Sequence, residues 1–146
     1  MNVERKRRII ALIHDRELRS LMNDFIPDGK FELESAQDGL DGFHKLAKTY
    51  FDLIITDFRM TGLGGVNLLP RLKRIQPWAR ILVIPTAGVN RYQRRVIESE
   101  ADVCLEKPFQ VEQLKMVIQK ILSLGEAKKL PEGENWRAER WSMEPT

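Results

Sequence analysis

Short apolar runs alternate along the chain with stretches in which apolar residues recur every third or fourth position, and the alternation repeats five times between about Arg8 and Leu124. The first pattern marks strands and the second marks one face of a helix. The strand candidates are Ile9–Ile13, Phe31–Ala36, Leu53–Thr56, Ile81–Ile84 and Val103–Leu105. The third and fourth are nearly all apolar, as central strands covered on both faces should be. The second alternates apolar with charged residues, Phe31-Glu32-Leu33-Glu34-Ser35-Ala36, so one of its faces meets water and it reads as an edge strand. Helical stripes lie between them: Leu18, Leu21, Met22 and Phe25; Leu40, Phe43, Leu46 and Ala47; Leu68, Leu69, Leu72 and Ile75; Val89, Tyr92 and Val96; and Val111, Leu114, Val117, Ile118, Ile121 and Leu122. The stripes read as core, not as a cofactor box. Strand and helix in strict alternation predict an α/β fold, a doubly wound five-stranded parallel sheet with helices on both faces. Pro70 lies within the third stripe, so that helix is expected to start late or to bend.

The chain has 146 residues, which suits one domain with a core that needs no disulfide or metal. The reading places that domain at residues 8–124. A charged segment punctuated by Gly125, Pro131 and Gly133 follows and carries Trp136 and Trp141; residues 125–146 are read as a tail that docks on a partner, docks on the body, or stays disordered. The single cysteine, Cys104, cannot form an internal bridge, and with no stretch of membrane-spanning length the expectation is a cytoplasmic protein. Lys and Arg number 24 against 21 Asp and Glu, a net charge of +3, which is too close to balance to argue for nucleic acid.

The chemistry gathers at the ends of the apolar runs. The first ends in His14-Asp15, the third in Asp57, the fourth leads to Thr86 and the fifth to Lys107. In an open parallel sheet reactive groups collect at the carboxyl ends of the strands, and in the order 2-1-3-4-5 these four ends are contiguous. An aspartyl nucleophile can form an acyl phosphate only where incoming phosphoryl charge is neutralised, which calls for a cation and a positioned ammonium. Asp57 and Lys107 supply the nucleophile and the ammonium, and Thr86 is a short donor suited to a newly added phosphoryl oxygen. Singly, each residue has a plainer reading as a helix cap, a turn residue or a solvated lysine.

With Asp57-Phe58-Arg59-Met60 and Gly65 downstream, Thr86-Ala87, and Ala101-Asp102 leading to Lys107-Pro108-Phe109, the segment from Arg8 to Leu124 resembles a response-regulator receiver domain of two-component signalling. The resemblance implies the flavodoxin-like receiver fold. It implies that Asp57 accepts phosphate from a histidine kinase or phosphotransfer partner, that Thr86 bonds a phosphoryl oxygen, and that Lys107 pairs with it. It implies Mg2+ held by Asp15, Asp57 and the backbone carbonyl of Arg59, and a cis Lys107–Pro108 bond that aims Lys107 inward. Output would pass to a downstream protein through the face of the fourth helix, fifth strand and fifth helix, with a homodimer as a further form, and without direct contact to nucleic acid or membrane. Self-phosphorylation would be its only chemistry, so it is not read as a turnover enzyme.

The chain departs from the family in several places. The pair of acids expected after the first strand is His14-Asp15, and imidazole is a poor ligand for a hard cation. A shift of register by one residue would put His14, not Asp15, at the direct-ligand position, with Glu17 as a compensating acid. Cys104 stands where the family often has a switching aromatic, and Thr61-Gly62 replaces a proline after Met60. These departures support an alternative, a phosphorylation-independent pseudo-receiver that acts as a docking module. A flavodoxin-like or phosphatase-like enzyme fits less well, because His14-Asp15-Arg16-Glu17 offers no Gly-, Ser- or Thr-rich cradle for a phosphate. Arg91, Arg94 and Arg95 on the fourth helix would mark either a docking face or a solvated one.

Overall fold

The computed structural model describes residues 6–26, 29–57, 68–85 and 88–124. Its elements run β1 (Arg7–Leu12), α1 (Arg16–Phe25), β2 (Phe31–Ser35), α2 (Gly39–Lys48), β3 (Leu53–Thr56), α3 (Leu68–Ile75), β4 (Arg80–Val83), α4 (Arg91–Glu100), β5 (Val103–Cys104) and α5 (Val111–Leu124). All four strand pairings are parallel, and the sheet order is β2-β1-β3-β4-β5. The strand expectations hold to within a residue or two at each end, and β3 matches at both.

Alternation along β1 divides the core in two. Ile9, Ala11 and Ile13 join Leu53, Ile55, Leu82 and Ile84 on one face, under Leu18 and Met22 of α1 and Leu114, Ile118, Ile121 and Leu122 of α5. Ile10 and Leu12 join Ile54, Ile81 and Val83 on the other, under Leu46, Leu68, Leu69, Leu72 and Ile97 of α2, α3 and α4. Successive strand residues point to opposite faces, so a strand apolar at every position must be covered twice. Each fully buried Leu or Ile here contributes about 1.5–3 kcal/mol. β2 is an edge, and its exposed Glu32 and half-buried Glu34 lie 3.8 and 3.6 Å from the Arg8 guanidinium.

Two stripe assignments need correction. On α2 the buried residues are Gly39, Gly42 and Leu46, whereas Leu40 is 67% exposed and Ala47 is also exposed. The helix lies so close to β1 that a Cβ on Gly42 would stand 2.7 Å from Leu12 Cδ2, so glycines, not leucines, face the sheet at its first turn. On α4, Tyr92 is 61% exposed, and Ile97 takes the buried position. Pro70 is the third residue of α3 as described.

Polar ties hold the leading ends of the strands. Asp52 donates its N–H to the Arg8 carbonyl (2.7 Å) while its Oδ2 accepts from Arg8 N (2.8 Å), and Asp102 makes the same two-way link with Ile81 (2.9 and 2.8 Å). Gln76, buried after α3, accepts from Phe51 N (2.9 Å) and donates to the carbonyls of Leu46 (2.8 Å) and Thr49 (2.6 Å). It closes the carboxyl end of α2 against the approach to β3.

Candidate functional site

Leu12 pairs with Thr56 in register, so β1 and β3 end level and the residues that follow them meet. Asp57, 1% exposed, turns its carboxylate toward the loop after β1. Its Oδ2 accepts from the backbone N–H groups of His14 (2.9 Å) and Asp15 (3.1 Å). A buried carboxylate must find donors, and two amides from the adjacent loop fix this one at the crest of the sheet.

Asp15 performs two tasks. Its Oδ1 accepts from Leu18 N (3.2 Å) as the N-cap of α1, and its Oδ2 accepts from Lys107 Nζ at 2.7 Å. The Lys107 hydrogen bond, foremost, holds the Asp15 carboxyl below the usual carboxylate range; partial burial opposes this, and the Leu18 amide assists it. Two strands, β3 and β4, separate β1 from β5. At 4.7–4.9 Å per strand that is a span of about 14 Å between β1 and β5. The loop after β5 therefore folds over the strand ends to bring Lys107 to Asp15. The Lys107–Pro108 peptide is cis.

His14 contributes its backbone amide, and its side chain is exposed. Asp15 turns its carboxylate toward Lys107, and Glu17 is exposed in the first turn of α1. Thr86 and Arg59, with Ala87, Met60, Thr61, Gly62 and residues 125–146, lie outside the described residues. Cys104 is buried in β5. Beside Lys107, Glu106 pairs with the Arg94 guanidinium of α4 at 2.5 Å, a tie that no spacing in the sequence announced. Arg91 and Arg95 are exposed.

The model of the response regulator receiver domain family matches residues 10–119, most of the chain. The chain belongs to that family. Among curated proteins it is 23% identical over 111 residues to the sensor histidine kinase RcsC of Escherichia coli (strain K12), covering 75% of this chain and 12% of that one. It is 33% identical over 78 residues to a response regulator receiver protein of Anaeromyxobacter sp. (strain Fw109-5), covering 53% of this chain and 33% of the other. The chain thus spans a third or less of these two relatives. The fold is that of a solved receiver domain protein (CheY-like) from Methanospirillum hungatei JF-1, with a TM-score of 0.77 at 18% identity, covering 86% of this chain and all of that one. The receiver fold, with sheet order 2-1-3-4-5, is therefore established, as is a place among the domains of two-component signalling.

For a hard divalent cation the donor chemistry at this crest is right in kind and reduced in charge. Asp15 and Asp57 offer carboxylate oxygens, the ligand type such a cation takes. Lys107 already neutralises one of the two charges. Among the described residues no group of three or more His, Cys, Asp or Glu side chains could hold a metal ion. Among them, too, no helix is long and apolar enough to cross a membrane.

Proposed function

We propose that the chain is a phosphorylation-switched receiver spanning residues 8–124, in which Asp57 takes a phosphoryl group from a histidine kinase or phosphotransfer protein. An Asp57 oxygen attacks phosphorus, the bond from phosphorus to the donor's imidazole nitrogen breaks, and the imidazole departs with a proton. The observation that carries this reading is the coupling of Asp57 to the loop that also holds the Lys107–Asp15 pair. The nucleophile is fixed by two amides, and an ammonium stands one residue away, paired with a carboxylate it can leave. Asp15, Asp57 and the Arg59 carbonyl would hold Mg2+, which when bound supplies positive charge to the transferring group. His14 at the second acid position and Lys107 on Asp15 both weaken that hold. Thr86 is assigned the bond to a phosphoryl oxygen, and the α4–β5–α5 face the contact with a downstream protein. The setting is a phosphorelay in the cytoplasm, without turnover chemistry.

A second reading, a phosphorylation-independent docking module, is favoured by the occupied Asp15. Incubation with a small-molecule phosphodonor, with Mg2+ or with chelator, followed by intact mass, separates the two. A Mg2+-dependent phosphoryl adduct that Asp57→Ala loses supports the receiver. A folded protein that takes no adduct at high Mg2+ supports the docking module.

A further inference from the structure

At the pole opposite Asp57, two aromatic side chains stand outside the core. Tyr50 precedes β3 and Trp78 precedes β4, strands that pair with Leu53 opposite Arg80. Their rings stack with centroids 5.3 Å apart and planes 3° from parallel, yet Tyr50 is 44% exposed and Trp78 46%. Phe51, next to Tyr50 in the chain, is fully buried, and Gln76 ties the two approaches together. The stacked pair is therefore a rigid apolar step on a fixed base. Its rim is cationic. The last turn of α2 carries Lys48 and that of α3 carries Lys73 and Arg74, with Lys48 and Arg74 exposed. Three full positive charges exceed the roughly half-unit negative charge at each of the two helix ends.

We infer that this step receives the segment around Trp136 of the same chain. α5 starts after the carboxyl end of β5 and packs Leu114, Ile118 and Ile121 on the sheet, so it runs back to the pole where Tyr50 and Trp78 lie. From Leu124 to Trp136 is twelve residues. A chain of that length reaches at most about 40 Å, well beyond the ~13 Å radius of gyration of a domain this size. The sequence before the tryptophan is Glu132-Gly133-Glu134-Asn135, which brings two acids to a basic rim and an indole to an aromatic step. Offset stacking of an indole on this step adds to the burial of its area, and the carboxylates meet Lys48 and Arg74. The occupant is recognised by an acidic, tryptophan-bearing peptide chemistry that this chain itself contains.

The test uses the full chain with 15N-labelled tryptophan indoles and a soluble paramagnetic probe. Trp136→Ala is expected to raise attenuation of the Trp78 indole signal about twofold, as a face now covered returns to solvent. The pair Glu132→Lys and Glu134→Lys should have the same sense, and Trp141→Ala should leave Trp78 unchanged. Unchanged methyl signals from Leu12 and Leu72 confirm that the fold is kept. A Trp78 signal that does not respond to Trp136→Ala overturns the inference. So does protection of Trp78 that scales with protein concentration, which would assign the step to a second copy. Neither result bears on phosphorylation at the other pole.

Discussion

Replacing Lys107 with methionine should move two properties in opposite directions. The ammonium sits 2.7 Å from Asp15 Oδ2. The lysine side chain is 41% exposed and that of Asp15 20%, so the pair is screened and contributes at most about 1 kcal/mol to stability. Lys107→Met is therefore expected to lower the melting temperature by no more than about 4 °C. The same change leaves Asp15 without its neutralising partner. A unit charge and a divalent ion about 4 Å apart repel by roughly 2 kcal/mol at the dielectric constant of water. Removing the lysine should then tighten Mg2+ binding by about five- to thirtyfold, the lower figure applying at physiological salt where screening is strong. Titration calorimetry with Mg2+ on the two proteins reads this directly. Phosphoryl transfer should fall in the variant even with its site saturated by metal, because the ammonium is no longer available to the transferring group. Equal or weaker Mg2+ affinity in Lys107→Met would refute the claim that lysine and cation compete for Asp15.

The stability difference between the parent chain and Lys107→Met should be full above the ordinary Asp value of 3.8 and should vanish as pH falls through the lowered Asp15 value beneath it, which acid titration of urea midpoints will show. Gln76→Ala strands the Phe51 N–H and the Leu46 and Thr49 carbonyls and should cost about 2–4 kcal/mol in urea unfolding; a loss under about 1 kcal/mol would mean that water replaces the amide. Gly42→Ala gains about 1 kcal/mol of helix propensity but forces a Cβ against fully buried Leu12, for a net loss of about 1 kcal/mol that Leu12→Val in the same chain should recover.

The sheet was legible because its central strands are apolar at nearly every position, a pattern that coverage on both faces explains, while β2 shows the alternation of an edge. The crest was legible because strand ends were: Asp57 follows its strand run directly, and Lys107 follows another with one residue between. The pairing of Lys107 with Asp15 was not, since a loop of few residues has to fold over two strands to make it, and no local pattern encodes that path. His14 drew attention as a side chain, whereas its backbone amide is what reaches Asp57. Backbone donors leave no trace in residue identity. The α2 stripe misled for a related reason, because close helix-to-sheet approach buries glycines, which a hydrophobic pattern does not count. Asp52, Gln76 and Asp102 likewise read as ordinary polar residues, and only the register of the strands gives them their partners.

Among the described residues, three buried aspartates use a carboxylate to bind backbone N–H groups, and their placement separates structural ties from the proposed switch. Asp52 and Asp102 each form a two-way link with a residue of the neighbouring strand, Arg8 or Ile81, at the leading ends of the sheet. Disturbing either one disturbs strand register. Asp57 sits at the trailing end, and its Oδ2 holds amides of His14 and Asp15, which belong to a loop and to a helix cap rather than to a strand. Modification there changes what the loop after β1 is anchored to, while the ladder from Leu53 to Thr56 keeps its partners on both sides. Because Asp15 also holds Lys107, a change at Asp57 is felt in the loop after β5, and Arg94 bound to the adjacent Glu106 carries the same loop to α4. If Asp57 is phosphorylated as proposed, the added charge is expected to shift these loops over an unaltered sheet, so that one carboxylate can act on a distant face without unfolding the domain.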